Sequence, residues 1–267
     1  MSPHPVCMVQ RPLRSLRHEY ELYVDEEIEN YKESIPRLAL LSIGDEAVSR
    51  LNAGSQILLT ELLLCEEVNR IIFRRLRLPG FDTWRRKRMK LARELRRPEY
   101  WGLAADHPAV RAVSETPEGR VLVAGDAAES SALFLAANGC TVTTVHRESE
   151  ALERVMRAAN DAGLAERIRA IAADLTTWEP DTPLTTVICA PAALSGLTIK
   201  TRRRVIEALQ SATSEGGIHL LQAVSSTARR RIPSVDELRK RYQGWSVTVE
   251  DAGSGGVNTF TARKAIA

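Results

Sequence analysis

The chain has 267 residues, of which 44% are hydrophobic, and a formal net charge of +3 at pH 7. This length predicts one or two domains, and the hydrophobic content is sufficient for a core. The sequence has no run of eighteen apolar residues, and residues 1–5 lack the charged-then-apolar order of a signal peptide, so we expect no membrane span and a cytoplasmic location. The widely spaced cysteines indicate neither a disulfide framework nor a metal site.

The charges are distributed unevenly along the chain. Residues 19–67 contain twelve acidic and three basic side chains, whereas residues 70–97 contain twelve basic and two acidic ones. A basic stretch of this kind could bind nucleic acid or an anionic membrane surface. Its basic side chains lie around a helix and do not form a recognisable nucleic-acid-binding motif. The acidic segment can also form ion pairs with these basic side chains. We therefore expect weak, nonspecific nucleic-acid binding at most and no membrane binding.

Residues 1–110 are predicted to form a helical region that ends in a linker. The apolar spacing predicts helices over residues 19–33, 34–51, 55–76 and 81–96. The third helix carries an apolar stripe from Ile57 to Leu76 that must be covered, either by the rest of the chain or by a second copy of it. These helices could therefore join a homo-oligomer. Three prolines between residues 98 and 119 predict the linker.

Residues 111–267 are predicted to form an α/β domain, because short apolar runs alternate with helical segments. Strands are expected at 121–124, 141–145, 168–172, 186–189, 217–224, 246–250 and 257–262, and helices around Leu133, Val155, Val205 and Leu238. Such alternation is typical of a parallel sheet covered by helices on both faces. The last two strands are separated by a glycine-rich turn and predict an antiparallel hairpin. The expected fold is Rossmann-like and doubly wound, with a mostly parallel seven-stranded sheet that ends in a hairpin.

Four segments of this domain carry a family resemblance. They are Ser131 to Leu152 (SALFLAANGCTVTTVHRESEAL), Ala173-Asp174-Leu175, Glu215-Gly216-Gly217, and Glu237 to Trp245 with its EL-x₃-Y-x-GW pattern. Together with the strand order and the final hairpin, they resemble the class I S-adenosylmethionine-dependent methyltransferases, nearest to the tellurite-resistance and thiopurine methyltransferase-like group. The resemblance covers residues 119–264. It implies S-adenosylmethionine as the cofactor and methyl transfer as the activity.

The resemblance also marks a loop after the first strand, where the family carries G-x-G-x-G so that the methionine part of the cofactor can approach the backbone. Gly125 occupies the first glycine position, and Ala127 and Glu129 occupy the other two. The Glu129 carboxylate would repel the cofactor's carboxylate, although the cofactor's amino and sulfonium groups could compensate. Asp126 could meet the amino group. Alternatively, Asp126 and Glu129 only favour the helix N-terminus electrostatically. The resemblance implies that Gly125, Asp126 and Ala127 bind the cofactor.

Two further positions follow the second and third strands. His146 stands where the family has an acidic residue that accepts hydrogen bonds from both ribose hydroxyls. An imidazole can accept only one such bond, so Glu148 could supply the carboxylate; alternatively, His146 is a solvated turn residue. Asp174 matches the acidic residue that meets the adenine amino group, and the Leu175 N–H would reach a ring nitrogen. The resemblance therefore implies His146, Asp174 and Leu175 as cofactor-binding residues, together with Ala190.

The segment after the fourth strand, residues 189–194, limits the acceptor. It lacks the Asn or Asp followed by Pro-Pro and an aromatic residue with which many methyltransferases of nucleic-acid or protein amino groups hold their target. This argues against methylation of adenine or cytosine. Transfer from a sulfonium is a direct displacement that positioning can accelerate, so no catalytic residue needs to be assigned. The sequence predicts a methyltransferase for a small or unidentified acceptor. The alternative is an inactive protein that uses the fold for binding or assembly.

Overall fold

The computed structural model describes residues 15–53, 61–125, 128–224, 232–250 and 257–266. The chain divides into two compact units, Met1–Leu91 and Ala92–Ala267. The domain boundary near residue 110 stays a prediction. Within the described ranges, no helix is both long enough and apolar enough to cross a membrane.

The first unit is helical. Its helices are α1 (Leu16–Ser34), α2 (Arg37–Ala53), α3 (Glu61–Leu76) and α4 (Phe81–Leu95), the last of which ends in the second unit. Ser15 begins α1 as an N-cap, because its hydroxyl accepts the backbone N–H of His18 at 3.2 Å. The predicted start of the third helix at residue 55 lies outside the described residues.

The helices of the first unit are held together by a small apolar core and by ion pairs. The core is formed by residues from three helices: Ile28, Ile43, Ala47, Ile71 and Ile72. Arg75 of α3 pairs with Glu46 of α2, and Arg88 of α4 pairs with Glu19 of α1 at 3.5 Å. The basic segment therefore pairs with the acidic helices inside one chain at these two places.

The second unit begins with helical structure where the sequence predicts a linker. A 3₁₀ helix covers Pro98–Trp101 and α5 covers Pro108–Glu115. Both begin at a proline, which a first helical position tolerates because its missing N–H would have no helical partner there. Two of the three prolines that indicated a linker, Pro98 and Pro108, therefore start short helices.

The rest of the second unit is the predicted α/β fold. Its strands are β1 (Arg120–Ala124), β2 (Thr141–His146), β3 (Ile168–Ala172), β4 (Leu184–Cys189), β5 (Thr213–Val224), β6 (Ser246–Glu250) and β7 (Val257–Arg263). Its helices are α6 (Ala128–Ala137), α7 (Ser149–Ala162), a 3₁₀ helix (Ala165–Arg167), α8 (Pro191–Leu194), α9 (Ile199–Ala212) and α10 (Val235–Arg241). The predicted fold class is confirmed.

The seven strands form one sheet in the order β3-β2-β1-β4-β5-β7-β6. The first five strands are parallel, and β7 is antiparallel to both β5 and β6. Ala124, the last residue of β1, is level with Val145 of β2 and Cys189 of β4. Because the carboxyl ends of these strands are level, the loops that follow them meet at one edge of the sheet, which is where open α/β sheets bind ligands.

Apolar residues fill both faces of the sheet. On one face, α5 packs against β4 and β5, and α6 and α7 pack against β1, β2 and β3, around a core that includes Leu133 and Val155. On the other face, α9 and α10 pack around Ile206, Leu238 and Phe260. The three cysteines within the described ranges are all free thiols, and Cys140 and Cys189 are buried.

A buried histidine connects the end of α9 to α10. The Thr213 hydroxyl donates its proton to the Leu209 carbonyl at 2.7 Å, so it accepts from His219 Nε2–H at 2.7 Å. The other ring nitrogen, Nδ1, accepts from the Tyr242 hydroxyl at 2.6 Å. Burial, with a smaller contribution from Lys264, lowers the pKa of His219 to about 3, so the ring is neutral in the folded chain.

The neutral His219 predicts acid-sensitive stability. The unfolded chain binds a proton at this residue below its ordinary pKa of about 6.5, whereas the folded chain does so only near 3. Stability is therefore lost as the pH falls through this window, by roughly 2 kcal/mol between pH 6.5 and 5 from this residue alone. Urea unfolding at pH 7.5 and pH 5 should show a smaller pH effect for His219→Gln than for the wild-type chain. Equal pH effects in the two proteins would contradict the assignment.

Candidate functional site

A cavity of about 280 Å³ opens at the carboxyl edge of the sheet. It is lined by residues at or after the carboxyl ends of four parallel strands: Ala124, Gly125, Val145, His146, Arg147, Glu148, Ala173, Asp174, Leu175, Ala192, Ala193 and Ser195. The structure thus brings together four of the predicted cofactor residues, which are far apart in the sequence. We call this space the edge cavity.

A second cavity, of about 180 Å³, adjoins the edge cavity and shares Gly125, His146 and Glu148 with it. It extends between the first turn of α6, which contributes Glu129, and α7. Thr144 of β2 also lines it, and its buried hydroxyl has no hydrogen-bond partner among the described residues. Together the two cavities reach the size of ordinary small-molecule sites, which is about 300–1,000 Å³.

Gly125 ends β1 in a conformation that favours glycine, with φ of +108°. A β-carbon at this position would lie 2.8 Å from Ala190 Cβ and 3.2 Å from Ala193 N, so a side chain would collide with the segment after β4. The close approach of the chain itself therefore requires a glycine here. Whether a cofactor also approaches Gly125, as the resemblance implies, stays a prediction.

His146 ends β2, and its ring is oriented by the following turn. Nδ1 accepts the backbone N–H of Glu148 at 3.0 Å. A neutral ring that accepts at Nδ1 carries its proton on Nε2, so it offers a donor where the family offers a carboxylate acceptor. Glu148 lines the same cavity. The ribose-binding role of these two residues stays a prediction.

Asp174 follows β3 and is already engaged by two partners. Oδ1 accepts the Thr176 backbone N–H at 2.9 Å, and Oδ2 accepts from Arg147 Nη2 at 2.8 Å. The Thr176 amide first, and the Arg147 guanidinium in addition, lower the pKa of the Asp174 carboxyl below its ordinary value. The carboxylate is ionised at neutral pH, and each oxygen has a second lone pair with which to accept another hydrogen bond.

The remaining predicted residues fall in different places. Leu175 lines the edge cavity, whereas Ala190 lines a separate cavity of about 50 Å³ that shares Ala124 with it. Asp126 and Ala127 lie outside the described residues. Burial raises the pKa of the Cys189 thiol to about 12, which leaves it protonated and unsuited to act as a nucleophile.

Sequence reasoning missed three residues that shape these cavities. Arg147 pairs with Asp174, Thr144 lines the second cavity, and His107 lines the small cavity beside Ala190. The position of Arg147 directly after β2 was a usable signal, because residues that follow parallel strands meet at one sheet edge. His107 gave no such signal, since it precedes a short helix in a segment predicted to be a linker.

Comparison with known proteins places the chain in a family. Residues 99–258 match the family described as "Tellurite resistance protein TehB". The structure is similar to that of TehB from Haemophilus influenzae, with a TM-score of 0.51, 17% identity, and coverage of 62% of this chain and 65% of that one. The chain thus spans just under two thirds of that protein's length. None of the curated proteins matches the sequence.

A second solved structure shares the fold. The CcbJ methyltransferase from Streptomyces caelestis is similar with a TM-score of 0.53 and 12% identity, over 59% of this chain and 88% of that one. The family match covers more than half of the chain and includes β1 to β6. The chain therefore belongs to the tellurite-resistance TehB family and, with it, to the class I S-adenosylmethionine-dependent methyltransferase superfamily that its sequence resembles.

Proposed function

We propose that the chain is an S-adenosylmethionine-dependent methyltransferase that transfers a methyl group to a small acceptor. The observation that carries this proposal is the edge cavity, because Gly125, His146, Asp174 and Leu175 all line it. These are the positions at which the family's loop, ribose contact and adenine contacts are expected. Their convergence on one cavity is a property of the fold that the sequence positions alone do not guarantee.

The chemistry of the cavity suits the cofactor's nucleoside end. The ionised Asp174 carboxylate can accept the adenine amino group, and Leu175 provides an apolar contact and a backbone N–H beside it. His146 and Glu148 together can meet the two ribose hydroxyls, one as donor and one as acceptor. The cofactor, when bound, would supply a sulfonium-activated methyl group, and this chain would bind and orient it.

Two features of the site favour a second candidate function. In this alternative the chain has the methyltransferase fold but no catalytic activity, and it acts as a binding or assembly module. Arg147 already occupies one oxygen of Asp174, with the two side chains 63% and 36% exposed. The segment at Ala190 and Ala193 fills the space in front of Gly125 where the family's loop admits the methionine part. An exposed ion pair of this kind contributes at most about 1 kcal/mol, so a ligand can displace it. We therefore favour the enzyme.

The first prediction concerns cofactor binding itself. Isothermal titration should show one molecule of S-adenosylhomocysteine bound per chain, because that product carries the same nucleoside as the cofactor. Absence of heat at millimolar ligand, with the chain folded by circular dichroism, would remove the enzyme proposal and leave the inactive alternative.

The second prediction separates Asp174 from its ion-pair partner. Asp174→Ala should weaken S-adenosylhomocysteine binding by roughly 1–3 kcal/mol, since the adenine amino group would lose its acceptor. Arg147→Ala should instead strengthen binding by up to about fivefold, because Arg147 competes with adenine for the same carboxylate. Titration of both variants tests this. If Arg147→Ala weakens binding as much as Asp174→Ala does, then Arg147 contacts the ligand and is not a competitor.

The third prediction concerns Glu129, which lines the cavity beside the edge cavity from the first turn of α6. If the cofactor's carboxylate lies near this turn, Glu129→Gly should tighten binding by removing a like charge. Glu129→Gln is the matched control, because it removes the charge and retains the size. Tighter binding in both variants would show that the Glu129 carboxylate repels the cofactor's carboxylate. Weaker binding in both would mean that Glu129 binds the cofactor's cationic end.

The remaining expectations belong to this proposal as well. We infer a small-molecule acceptor, a cytoplasmic location, no specific nucleic-acid partner, and assembly of two copies through the N-terminal helices if the chain is oligomeric. We expect any nucleic-acid binding to be weak, because the ion pairs of Glu46 with Arg75 and of Glu19 with Arg88 neutralise part of the positive charge of the basic segment.

A further inference from the structure

The outer face of α1 is acidic. Four exposed side chains recur at the i, i+3, i+4 and i+7 spacing that places residues on one face of a helix: Leu22, Asp25, Glu26 and Glu29. Tyr20 and Ile28, the buried residues of α1, lie on the opposite face. Of the three carboxylates, only that of Glu29 has an ion-pair partner among the described residues, which is Lys32 of the same helix at 2.8 Å. We call this set of four residues the acidic stripe.

The outer face of α4 has the opposite charge. Three exposed side chains share the i, i+3, i+4 spacing on it: Arg86, Met89 and Lys90. The partly buried Trp84 and Arg88 lie on the other side of the helix. Neither Arg86 nor Lys90 forms an ion pair with a described residue, and Arg86 donates only to the Thr83 hydroxyl, at 3.4 Å. We call this set of three residues the basic stripe.

Aromatic rings hold α1 and α4 side by side within the first unit. Tyr20 of α1 contacts Phe81 and Trp84 of α4, and the ring centroids are 5.5 Å apart in both pairs. Among the described residues, one ion pair joins the two helices, that of Glu19 with Arg88 at 3.5 Å. Neither of these residues belongs to a stripe. The two stripes therefore lie on neighbouring helices without neutralising each other inside one chain.

We propose that the two stripes form a docking surface for a second copy of this chain, related to the first by a two-fold axis. The acidic stripe of one protomer then lies against the basic stripe of its partner, and the same contact repeats across the axis. A partner that fits must carry the two charges in the reverse arrangement, which a two-fold rotation supplies. A polyanion such as nucleic acid matches the basic stripe but is repelled by the acidic stripe on the neighbouring helix.

Each stripe also carries an apolar side chain. Leu22 and Met89 are 40% and 43% exposed, so both have surface left to bury in a contact between copies. The ion pairs contribute little individually, but they select the partner and its orientation. We therefore expect a weak dimer whose affinity depends on salt. The proposal rests on the expectation that two copies assemble through the N-terminal helices, and it is independent of methyl transfer.

Sedimentation velocity of the full chain at increasing concentration gives the first test. The wild-type chain should form dimers below about 100 µM. An increase in NaCl from about 0.1 to 1 M, which shortens the Debye length from about 10 to 3 Å, should raise the dissociation constant of the dimer by about tenfold. A chain that stays monomeric at about 100 µM in low salt would contradict the proposal.

Two charge-reversal variants test the stripes directly. Asp25→Lys with Glu26→Lys reverses the acidic stripe, and Arg86→Glu with Lys90→Glu reverses the basic stripe. Each variant alone should raise the dissociation constant by at least about tenfold, because like charges then face each other in both contacts. An equimolar mixture of the two variants should dimerise as the wild-type chain does, because both contacts of the mixed pair again join opposite charges.

A matched control separates the docking surface from a general effect of net charge. Lys200 and Arg204 are exposed on α9 of the second unit and have the same i, i+4 spacing as Arg86 and Lys90. Lys200→Glu with Arg204→Glu therefore changes the net charge by the same amount. It should leave the dimer intact, and it should not restore dimerisation when it is mixed with the variant whose acidic stripe is reversed. Circular dichroism of all variants checks that they are folded.

The outcomes distinguish this surface from the other expectations. If the dimer persists unchanged in high salt and in both stripe variants, the copies associate through another surface, and the proposal is wrong while assembly itself stands. The proposal is also wrong if the mixture of stripe variants stays monomeric, or if the α9 control disrupts the dimer as strongly as they do. The methyltransferase proposal is decided separately, by the titration with S-adenosylhomocysteine.

Discussion

The close contact between Gly125 and the segment that follows β4 is the constraint on which the candidate site depends. Ala190 N–H is bonded to Ala124 O, and a β-carbon at Gly125 would lie only 2.8 Å from Ala190 Cβ. This contact fixes the carboxyl ends of β1 and β4 against each other. Both the edge cavity and the small cavity with His107 reach this contact, because Ala124 lines both of them.

The two cavities differ in their electrostatics. The edge cavity carries charged groups, with the Asp174 carboxylate paired to Arg147 and the Glu148 carboxylate beside His146. The small cavity is lined by neutral groups within the described residues. The charged groups of the edge cavity suit recognition of a polar nucleoside, as the proposed function requires.

Much of the fold could be predicted from sequence because it depends on local pattern. Apolar runs of strand length between helical segments marked each strand, and the glycine-rich turn between the last two strands marked the hairpin. Gly125 and Asp174 could be placed because each lies within two residues of the end of a strand. The prolines at 98 and 108 were misleading, since proline ends a helix in most positions but is tolerated at the first turn.

The parts of the site that escaped prediction depend on contacts between distant residues. The pairing of Arg147 with Asp174 joins residues that follow two different strands, and the sequence does not specify which side chains will meet there. The tautomer of His146 depends on a bond to its own turn, and that of His107 depends on its position as a helix cap. Hydrogen bonds of this kind follow from the folded backbone and not from residue type.

A crystal structure of the full chain with S-adenosylhomocysteine is the most direct measurement of the central claim. The adenine amino group should lie about 3 Å from the Asp174 carboxylate, the distance of a normal hydrogen bond. Arg147 should have moved away from that carboxylate. An Arg147–Asp174 pair that stays intact beside an empty edge cavity in crystals grown with saturating ligand would contradict the claim.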